Sequence, residues 1–186
     1  AAVLGAVIGA AMHTILPPPY RARATVNVDF NLEQAWPQET DREQFYYLER
    51  ESRKLERVAW SDAVMQAVAD ADGAVTVREL REDKLQLSQP AEAGWHFYAD
   101  DNDANRAESL ASAWALAFAQ AAQANVSAQA GLNSFIKIEV TQSANLPKQR
   151  SVSLSSYLLA GTVSAWFVGA FVFLFFDFGA KKKDEK

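Results

Sequence analysis

Close to its C-terminal end the chain contains Tyr157-Leu-Leu-Ala-Gly-Thr-Val-Ser-Ala-Trp-Phe-Val-Gly-Ala-Phe-Val-Phe-Leu-Phe-Phe176, a run of twenty residues without a charge. A helix needs about 20 predominantly apolar residues to cross the hydrocarbon core of a bilayer. The run therefore predicts a transmembrane helix over residues 155–178. The residues that follow it, 179–186, are rich in lysine and predict a basic cytoplasmic tail.

A second apolar run occupies residues 1–16. At 1.5 Å per residue it makes about 24 Å of helix, which is short for a hydrocarbon core of about 30 Å. A secretory signal is the competing interpretation, because an apolar core followed by helix-breaking residues is typical of such signals. No Ala-x-Ala cleavage pattern precedes Pro17, Pro18 and Pro19, so we expect a retained first transmembrane helix.

Both apolar runs carry small residues at helical spacing. These residues are Gly5 and Gly9 in the first run and Gly161, Ala165 and Gly169 in the second. Small residues four apart lie on one face of a helix and let two helix backbones approach closely. Small residues are also common in membrane helices that make no such contact, and that interpretation stays open. The pattern predicts a helix-packing or oligomer contact.

Two transmembrane helices would place both ends of the chain on one side of the membrane and residues 17–151 on the other. Lys181, Lys182 and Lys183 follow the second run, and such clusters are typical of the cytoplasmic side. They could also contact lipid headgroups, although a topological anchor is the simpler interpretation. We therefore expect a two-pass membrane protein with cytoplasmic ends and an extracytoplasmic loop.

The composition excludes several classes of protein. The formal net charge is −5, and the basic residues between the two runs are dispersed, so nucleic acid is not an expected partner. The sequence has no cysteine, which excludes a disulfide framework and a thiolate metal site. Residues 17–151, about 135 in number, are enough to form one hydrophobic core by packing alone.

The region after the triple proline predicts a strand and then a helix. Every even position from Ala22 to Leu32 is apolar and every odd position is polar, which is typical of a half-buried strand. From Asp41 onward, apolar residues recur at helical spacing among many charges, which predicts a helix with a solvated charged face. The apolar positions of that helix are Phe45, Leu48, Leu55 and Val58.

The middle of the region predicts two more helices and a hairpin. Ser61 can cap a helix over residues 62–70 that stops near Gly73, and a further short helix covers residues 76–84. Two strands, 85–89 and 95–99, follow on either side of a Pro/Gly turn. The side chains expected to face inward from the two helices are Val64, Met65, Val68, Val77, Leu80 and Arg81.

The last part of the region predicts a long helix and a return strand. Asp100, Asp101 and Asp103 can supply helix-start acceptors for a helix over residues 104–130, which Gly131 closes. Alternating apolar residues predict a strand over residues 134–144. The apolar stripe of the long helix consists of Ala107, Leu110, Ala111, Trp114, Phe118 and Ala121.

The first and last strands of the region adjoin the two apolar runs in sequence, so they could pair in one sheet covered by the long helix. The predicted fold class is therefore an α+β extracytoplasmic domain, residues 17–151, between two transmembrane helices, residues 1–16 and 155–178.

The sequence offers little catalytic chemistry. His13 and His96 lie in different predicted elements, whereas catalysis or metal binding needs converging side chains. The aspartates at 100, 101 and 103 resemble the opening of a calcium loop, but the glycine and later glutamate of that pattern are missing. No phosphate-binding glycine loop and no Gly-x-Ser-x-Gly elbow occur. We therefore expect no enzyme and no catalytic, cofactor-binding or metal-binding residues.

Five residues match, in type and in position relative to the predicted elements, the pattern of one known protein family. They are Pro19 and Tyr20 before the first strand, Ser61 and Ala107 near two helix starts, and Pro147 after the return strand. With these residues and the order of its elements, nearly the whole chain resembles the Wzz-type polysaccharide co-polymerases. This is the chain-length determinant family of bacterial surface-polysaccharide export.

The resemblance implies a non-enzymatic scaffold, without cofactors, in the bacterial cytoplasmic (inner) membrane. Such a protein forms a homo-oligomer among membrane lipids, lies beside a polysaccharide polymerase and affects polymer chain length. Family members usually extend the long helix into a membrane-distal hairpin and carry several prolines at the second span. In this chain the predicted long helix ends at Gly131, and Pro147 is the only proline near the second span. Some relatives also carry a tyrosine kinase, and since no nucleotide-binding motif follows the second run here, a kinase would be a separate protein.

The departures keep a second hypothesis open. The chain could be an accessory structural subunit that braces a larger membrane complex, for example an energy-converting one, with no polysaccharide role. The two hypotheses differ in the assembly they require. The first needs a ring of identical subunits, and the second needs a single copy among unlike subunits.

Overall fold

The computed structural model describes residues 2–35, 41–88, 94–148 and 150–184, without the side chains of residues 35, 41–43 and 174–184. The chain divides into two compact units, one made of Ala1–Pro19 with Gln149–Lys186 and one made of Tyr20–Lys148. We call the first the helix pair and the second the head domain. The architecture is α+β with a small antiparallel sheet.

The described elements follow one another as α1 (Ala2–Ile15), β1 (Tyr20–Asp29), α2 (Leu32–Ala35), α3 (Asp41–Ala59), α4 (Asp62–Asp72), α5 (Val77–Glu79), a π-helical turn (Leu80–Lys84), β2 (Leu85–Leu87), β3 (Trp95–Asp101), α6 (Ala104–Ser127), β4 (Lys137–Gln142) and α7 (Leu154–Asp184). The predicted turn over 90–94 lies mostly outside the described residues.

The sheet of the head domain has the strand order β2-β3-β1-β4, and all three pairings are antiparallel. The prediction that the first and last strands pair is therefore confirmed, with Val28 opposite Ile138. The alternation is confirmed as well, because the even positions Ala22, Ala24 and Val26 are buried. One face of β1 thus belongs to the core.

Strand β1 is shorter than predicted. It ends at Asp29, because Asn31 adopts a left-handed conformation with φ of 45° and α2 begins immediately afterwards. Two hydrogen bonds hold this bend. The Asn31 backbone N–H donates to the Asp29 carboxylate at 2.8 Å, and the Asn31 side chain donates to the Phe135 carbonyl at 2.6 Å. Asparagine tolerates this conformation better than most residues. The strand therefore ends here, although the alternation of apolar and polar residues continues in the sequence to Leu32.

Helix α6 lies on the sheet, and α3 and α4 pack against it. Five of the six predicted inward residues of α6 are buried, whereas Ala121 is half-buried and Ala122 takes its place in the core. Trp114 is the largest fully buried side chain, and its indole N–H donates to the Ala59 carbonyl at 2.9 Å. The helix ends at Ser127 and not at residue 130, and Gly131, with φ of 97°, lies in the following loop.

Helix α4 and the segment after it agree with the predicted caps. Ser61 accepts from the Val64 N–H, and Gly73 ends α4 with φ of 74°, which suits glycine. The single helix predicted over residues 76–84 is wrong in detail, since α5 gives way to a π-helical turn. Arg81 points outward rather than inward, because its guanidinium binds the Asp62 carboxylate and the Trp60 carbonyl.

The charged face predicted for α3 is not wholly solvated. Glu51 is completely buried, where Lys54 and Arg50 form ion pairs with it and the Asn133 backbone N–H donates to it. A buried carboxylate is tolerated only with such partners. Phe45, one of the four apolar positions at helical spacing, is 63% exposed. The buried apolar positions of α3 are Tyr47, Leu55 and Ala59.

One helix is long and apolar enough to cross a membrane, the segment Leu154–Phe173 of α7, within the described part of the chain. Helix α1 is apolar but has only 14 residues, which make about 21 Å of helix. Its length thus falls short of the predicted first span. The second predicted span lies within α7, which begins at Leu154 and continues beyond residue 178 to Asp184.

Replacing Trp114 with alanine should lower the free energy of unfolding of the head domain by about 3 to 5 kcal/mol, because it leaves a cavity and removes a buried hydrogen bond. Thermal or urea unfolding of the purified chain measures the change. Leu116→Ala is the matched control, since Leu116 is on the same helix and 53% exposed. Equal stability of the two variants would contradict the packing of α6 described above.

Candidate functional site

The small residues of the two apolar helices meet inside the helix pair. A Cβ built on Gly5 would overlap the Gly161 carbonyl oxygen and lie 2.6 Å from the Ala165 Cβ. A Cβ built on Gly9 would overlap the Tyr157 carbonyl oxygen. The absence of side chains therefore allows the backbones of α1 and α7 to touch. The contact lies within one chain, and the oligomer role stays a prediction.

The ends of these two helices are joined by hydrogen bonds. Arg150 donates from its guanidinium to the Pro18 carbonyl at 2.6 Å, and the Ser151 backbone N–H donates to the Pro19 carbonyl at 2.8 Å. Close by, the rings of His13 and Tyr157 meet edge to face with centroids 5.2 Å apart. Proline has no backbone N–H to donate, but its carbonyl oxygen can still accept a hydrogen bond. The chain therefore leaves α1 and enters α7 at a fixed separation.

The remaining packing position and the three anchor positions lie on α7. Gly169 lies on α7 and is partly exposed. Lys181, Lys182 and Lys183 belong to the last turns of α7, and their side chains lie outside the described residues. Their role as a cytoplasmic anchor stays a prediction.

The five residues that carry the family resemblance have structural roles in the fold. Pro19 accepts the bond from Ser151, Tyr20 begins β1 opposite Asp101, and Ser61 caps α4. Ala107 is fully buried in α6, where a larger side chain would meet the core, and Pro147 lies in the loop after β4. Each of these roles concerns folding, and none of them brings reactive groups together.

A cluster of charges that the sequence did not reveal joins four elements of the head domain. Arg106, in the first turn of α6, forms two hydrogen bonds with Asp72 at the end of α4, at 2.9 and 2.6 Å. Asp101 is 4% exposed and binds Lys84 at 2.8 Å. The Arg106 guanidinium is the main cause that lowers the pKa of Asp72. Arg106 thus fastens α4 to the start of α6, and Lys84 fastens the π-helical turn to the end of β3.

The predicted helix-start acceptors separate into two roles. Asp103 is the N-cap of α6 and accepts from the Asn105 N–H at 2.9 Å. Asp101 and Asp100 belong instead to β3, and Asp100 binds the Arg21 guanidinium through both its oxygens, at 2.7 and 2.6 Å. Only one member of the aspartate cluster therefore serves as the cap. Within the described residues no three His, Cys, Asp or Glu side chains are grouped as metal ligands would be.

The outward face of the sheet is polar and carries the one histidine of the head domain. His96 Nδ1 lies 3.1 Å from the Thr25 hydroxyl, and the His96 ring contacts Tyr98 edge to face. Partial burial, and secondly the positive charge of Arg23, lower the pKa of His96 from its usual value of 6.5. The histidine is therefore favoured in its neutral form.

Comparison with protein-family models and with curated proteins gave no match to this chain. The geometry of its own residues therefore supplies the argument for its function. That geometry consists of a close helix pair, a separately packed head domain and a set of ion pairs between head-domain elements.

Replacing Gly9 with leucine should force α1 and α7 apart, because the new side chain would collide with the Tyr157 carbonyl. Nitroxide labels on Val7→Cys and Val163→Cys, both at exposed positions of a cysteine-free chain, report the separation by electron paramagnetic resonance. We expect their distance to increase by roughly 2 Å, within the range over which side chains set helix separation. Ala11→Leu, at an exposed position, is the control. An unchanged distance in the Gly9 variant would exclude the glycine contact.

The lowered pKa of His96 predicts that acid destabilises the head domain. Between the folded pKa and 6.5 the unfolded chain binds more protons than the folded chain, so stability decreases as the pH falls through that interval. The unfolding midpoint of the wild type, measured from pH 7.5 to pH 5, should therefore fall more than that of His96→Gln. Tyr98→Phe serves as the control and should keep the wild-type slope. Parallel pH profiles for all three chains would argue against this role of His96.

Proposed function

We propose that the chain is a non-enzymatic membrane scaffold that spans the bacterial cytoplasmic membrane twice and modulates the chain length of a surface polysaccharide. In this role it forms homo-oligomers around or beside a polymerase, as the resemblance to the Wzz-type co-polymerases implies. The observation that supports it best is the close packing of α1 and α7 through Gly5, Gly9 and Gly161. This contact ties both ends of the head domain's chain to one anchor.

The surface of the helix pair supports two membrane passages. Apolar side chains of α1 are exposed along its whole length, from Val3 at 79% to Ile15 at 72%. Helix α7 exposes Trp166, Phe167 and Phe171 to more than 60% each. Apolar surfaces of this extent suit lipid better than water. A helix shorter than the hydrocarbon core can be accommodated by local thinning of the bilayer, so the length of α1 is compatible with a span.

The head domain supports a role outside the cytoplasm. Its core is built from Trp114, Phe97 and Phe118 with aliphatic neighbours, and it needs no disulfide, since the chain has no cysteine. The lysines after the apolar run of α7 favour a cytoplasmic position for both ends of the chain. Between the two helices, the head domain would therefore be extracytoplasmic, where a surface polymer is assembled.

The accessory-subunit hypothesis keeps one specific observation in its favour. Helix α6 ends at Ser127, and only residues 128–136 separate it from β4. There is no room in that loop for the membrane-distal helical hairpin that family members usually carry. A head domain of this size would also serve to brace a larger complex, for example an energy-converting one.

Deleting the chain from its host should change the size distribution of surface polysaccharide on an electrophoresis gel. Restoring the wild type should restore the distribution, whereas Gly9→Leu should restore it less completely than Ala11→Leu. Mass measurement of the protein in mild detergent separates the two hypotheses. A complex of identical subunits supports the co-polymerase role. A single copy bound to unlike subunits, with an unchanged polymer distribution in the deletion strain, would favour the accessory subunit and overturn our proposal.

A further inference from the structure

A groove in the head domain lies between α3 and the segment in which β1 ends and α2 begins. Its volume is about 480 Å³, within the roughly 300–1,000 Å³ that is usual for small-molecule sites, so an aromatic side chain fits in it. Phe30, Leu32 and Leu48 give the groove an apolar lining. Among its described lining residues the charged ones are Asp29 and Glu33. A groove of this composition suits an apolar group that is flanked by positive charge.

The groove is formed before any partner binds. The bend between β1 and α2 is fixed by the hydrogen bonds of Asn31 to the Asp29 carboxylate and to the Phe135 carbonyl. Phe45 lies on the same face of α3 as Leu48, three residues earlier, and is 63% exposed. An exposed apolar surface beside such a groove is typical of a protein interaction site. Little ordering of the chain would be needed for a partner to bind there.

Another side of α3 carries a row of tyrosine and arginine residues at helical spacing, which we call the Tyr46 stripe. Successive residues of a helix are about 100° apart, so Tyr46 and Leu48 point in directions about 200° apart. Tyr46 is 55% exposed, and the side chains of Arg50 and Arg53 are 62% and 70% exposed. Tyrosine and arginine are enriched among the residues that dominate the binding energy of interfaces. The stripe consists of Tyr46, Arg50, Arg53 and Arg57.

The stripe keeps a positive charge in spite of the ion pairs that its arginines form. Arg53 is paired with Glu49. Arg50 shares the single carboxylate of Glu51 with Lys54, so two cations meet one anion. This part of α3 therefore has one positive charge in excess.

The groove offers the opposite charge. Glu33 is exposed and forms no ion pair with any residue that the structure describes. Asp29 has a basic residue, Lys137, opposite it in the sheet, which leaves Glu33 as the acid available to a partner. The stripe and the groove are thus complementary in charge, but they lie on different sides of one rigid helix and cannot meet within one chain. Two different surfaces that fit each other join separate copies in a heterologous contact.

We infer that the head domain docks onto a second copy of itself, with the Tyr46 ring of one copy in the groove of the next and with Arg50 and Arg53 facing Glu33. The inference rests on the proposed function only for the premise that identical copies assemble. A heterologous contact leaves a free stripe at one end of the assembly and a free groove at the other, so further copies add until the assembly closes.

Cysteine cross-linking of the full chain in isolated membranes tests the contact, because the sequence has no cysteine of its own. Tyr46→Cys and Gln34→Cys, the latter exposed at the groove, are made in separate chains and co-expressed. We expect oxidation to join the two variants as a dimer and to leave each variant alone as a monomer. A chain with both cysteines should give a ladder longer than a dimer. Tyr46→Cys co-expressed with Gln120→Cys, exposed on α6, is the matched control and should not cross-link.

Charge reversal gives a second measurement, the mass of the assembly in mild detergent. Glu33→Arg should raise the dissociation constant between copies about tenfold, because like charges would then face each other. Adding Arg53→Glu to the same chain should restore the wild-type mass. Gln120→Arg is the control and should assemble like the wild type. All of these positions are exposed, so thermal unfolding should be unchanged and a folding defect would be recognised.

The outcomes separate this docking surface from the proposed function. No cross-link between Tyr46→Cys and Gln34→Cys, a cross-link of Tyr46→Cys to itself, or a cross-link only to an unlike subunit would overturn the docking surface. If deletion of the chain still alters the polymer, the proposed function survives that loss. Cross-linked copies in a host whose polymer is unaffected by the deletion would instead sustain the docking surface and overturn the proposed function.

Discussion

The head domain depends on the central strand β1, which pairs with β3 on one side and β4 on the other. Its inward side chains include Ala22 and Ala24, which are too small to fill the space beneath α6. The space is filled by Trp114 and Phe118 from α6 and by Phe97 from β3, whose ring contacts both of them. Small residues on the strand and aromatic residues on the helix are thus complementary, and close packing of this kind distinguishes one fold from many compact alternatives.

Polar contacts hold the outer elements in position around that core. Glu51 links α3 to the loop after α6, and Arg106 links α4 to the start of α6. Breaking such pairs is costly when one charge would remain buried, so their main effect is to specify which arrangement of helices is allowed. The close approach of α1 and α7 plays the equivalent part in the helix pair, where glycine replaces charge as the specifying feature.

The structure is rich in fixed connections between its elements. The carbonyls of Pro18 and Pro19 bind Arg150 and Ser151, so the exits of the two helices are tied together. The indole N–H of Trp95 is the exception, because this buried donor lacks an acceptor within the described residues. An otherwise satisfied core makes this single unpaired group informative.

Periodicity and capping in the sequence determined most of the secondary structure: the alternation in β1, the Ser61 cap, the stripe of α6 and the apolar run of α7. These features are local, since each depends on residues within one or two turns of one another. The small-residue spacing also indicated which faces of α1 and α7 could touch. Only the tertiary structure decided that Phe45 is exposed, that Glu51 is buried, that Arg106 reaches Asp72, and that the buried indole N–H of Trp95 has no acceptor within the described residues. The Arg106–Asp72 and Glu51–Asn133 contacts join residues 34 and 82 positions apart in sequence, which come together only when the helices pack on the sheet.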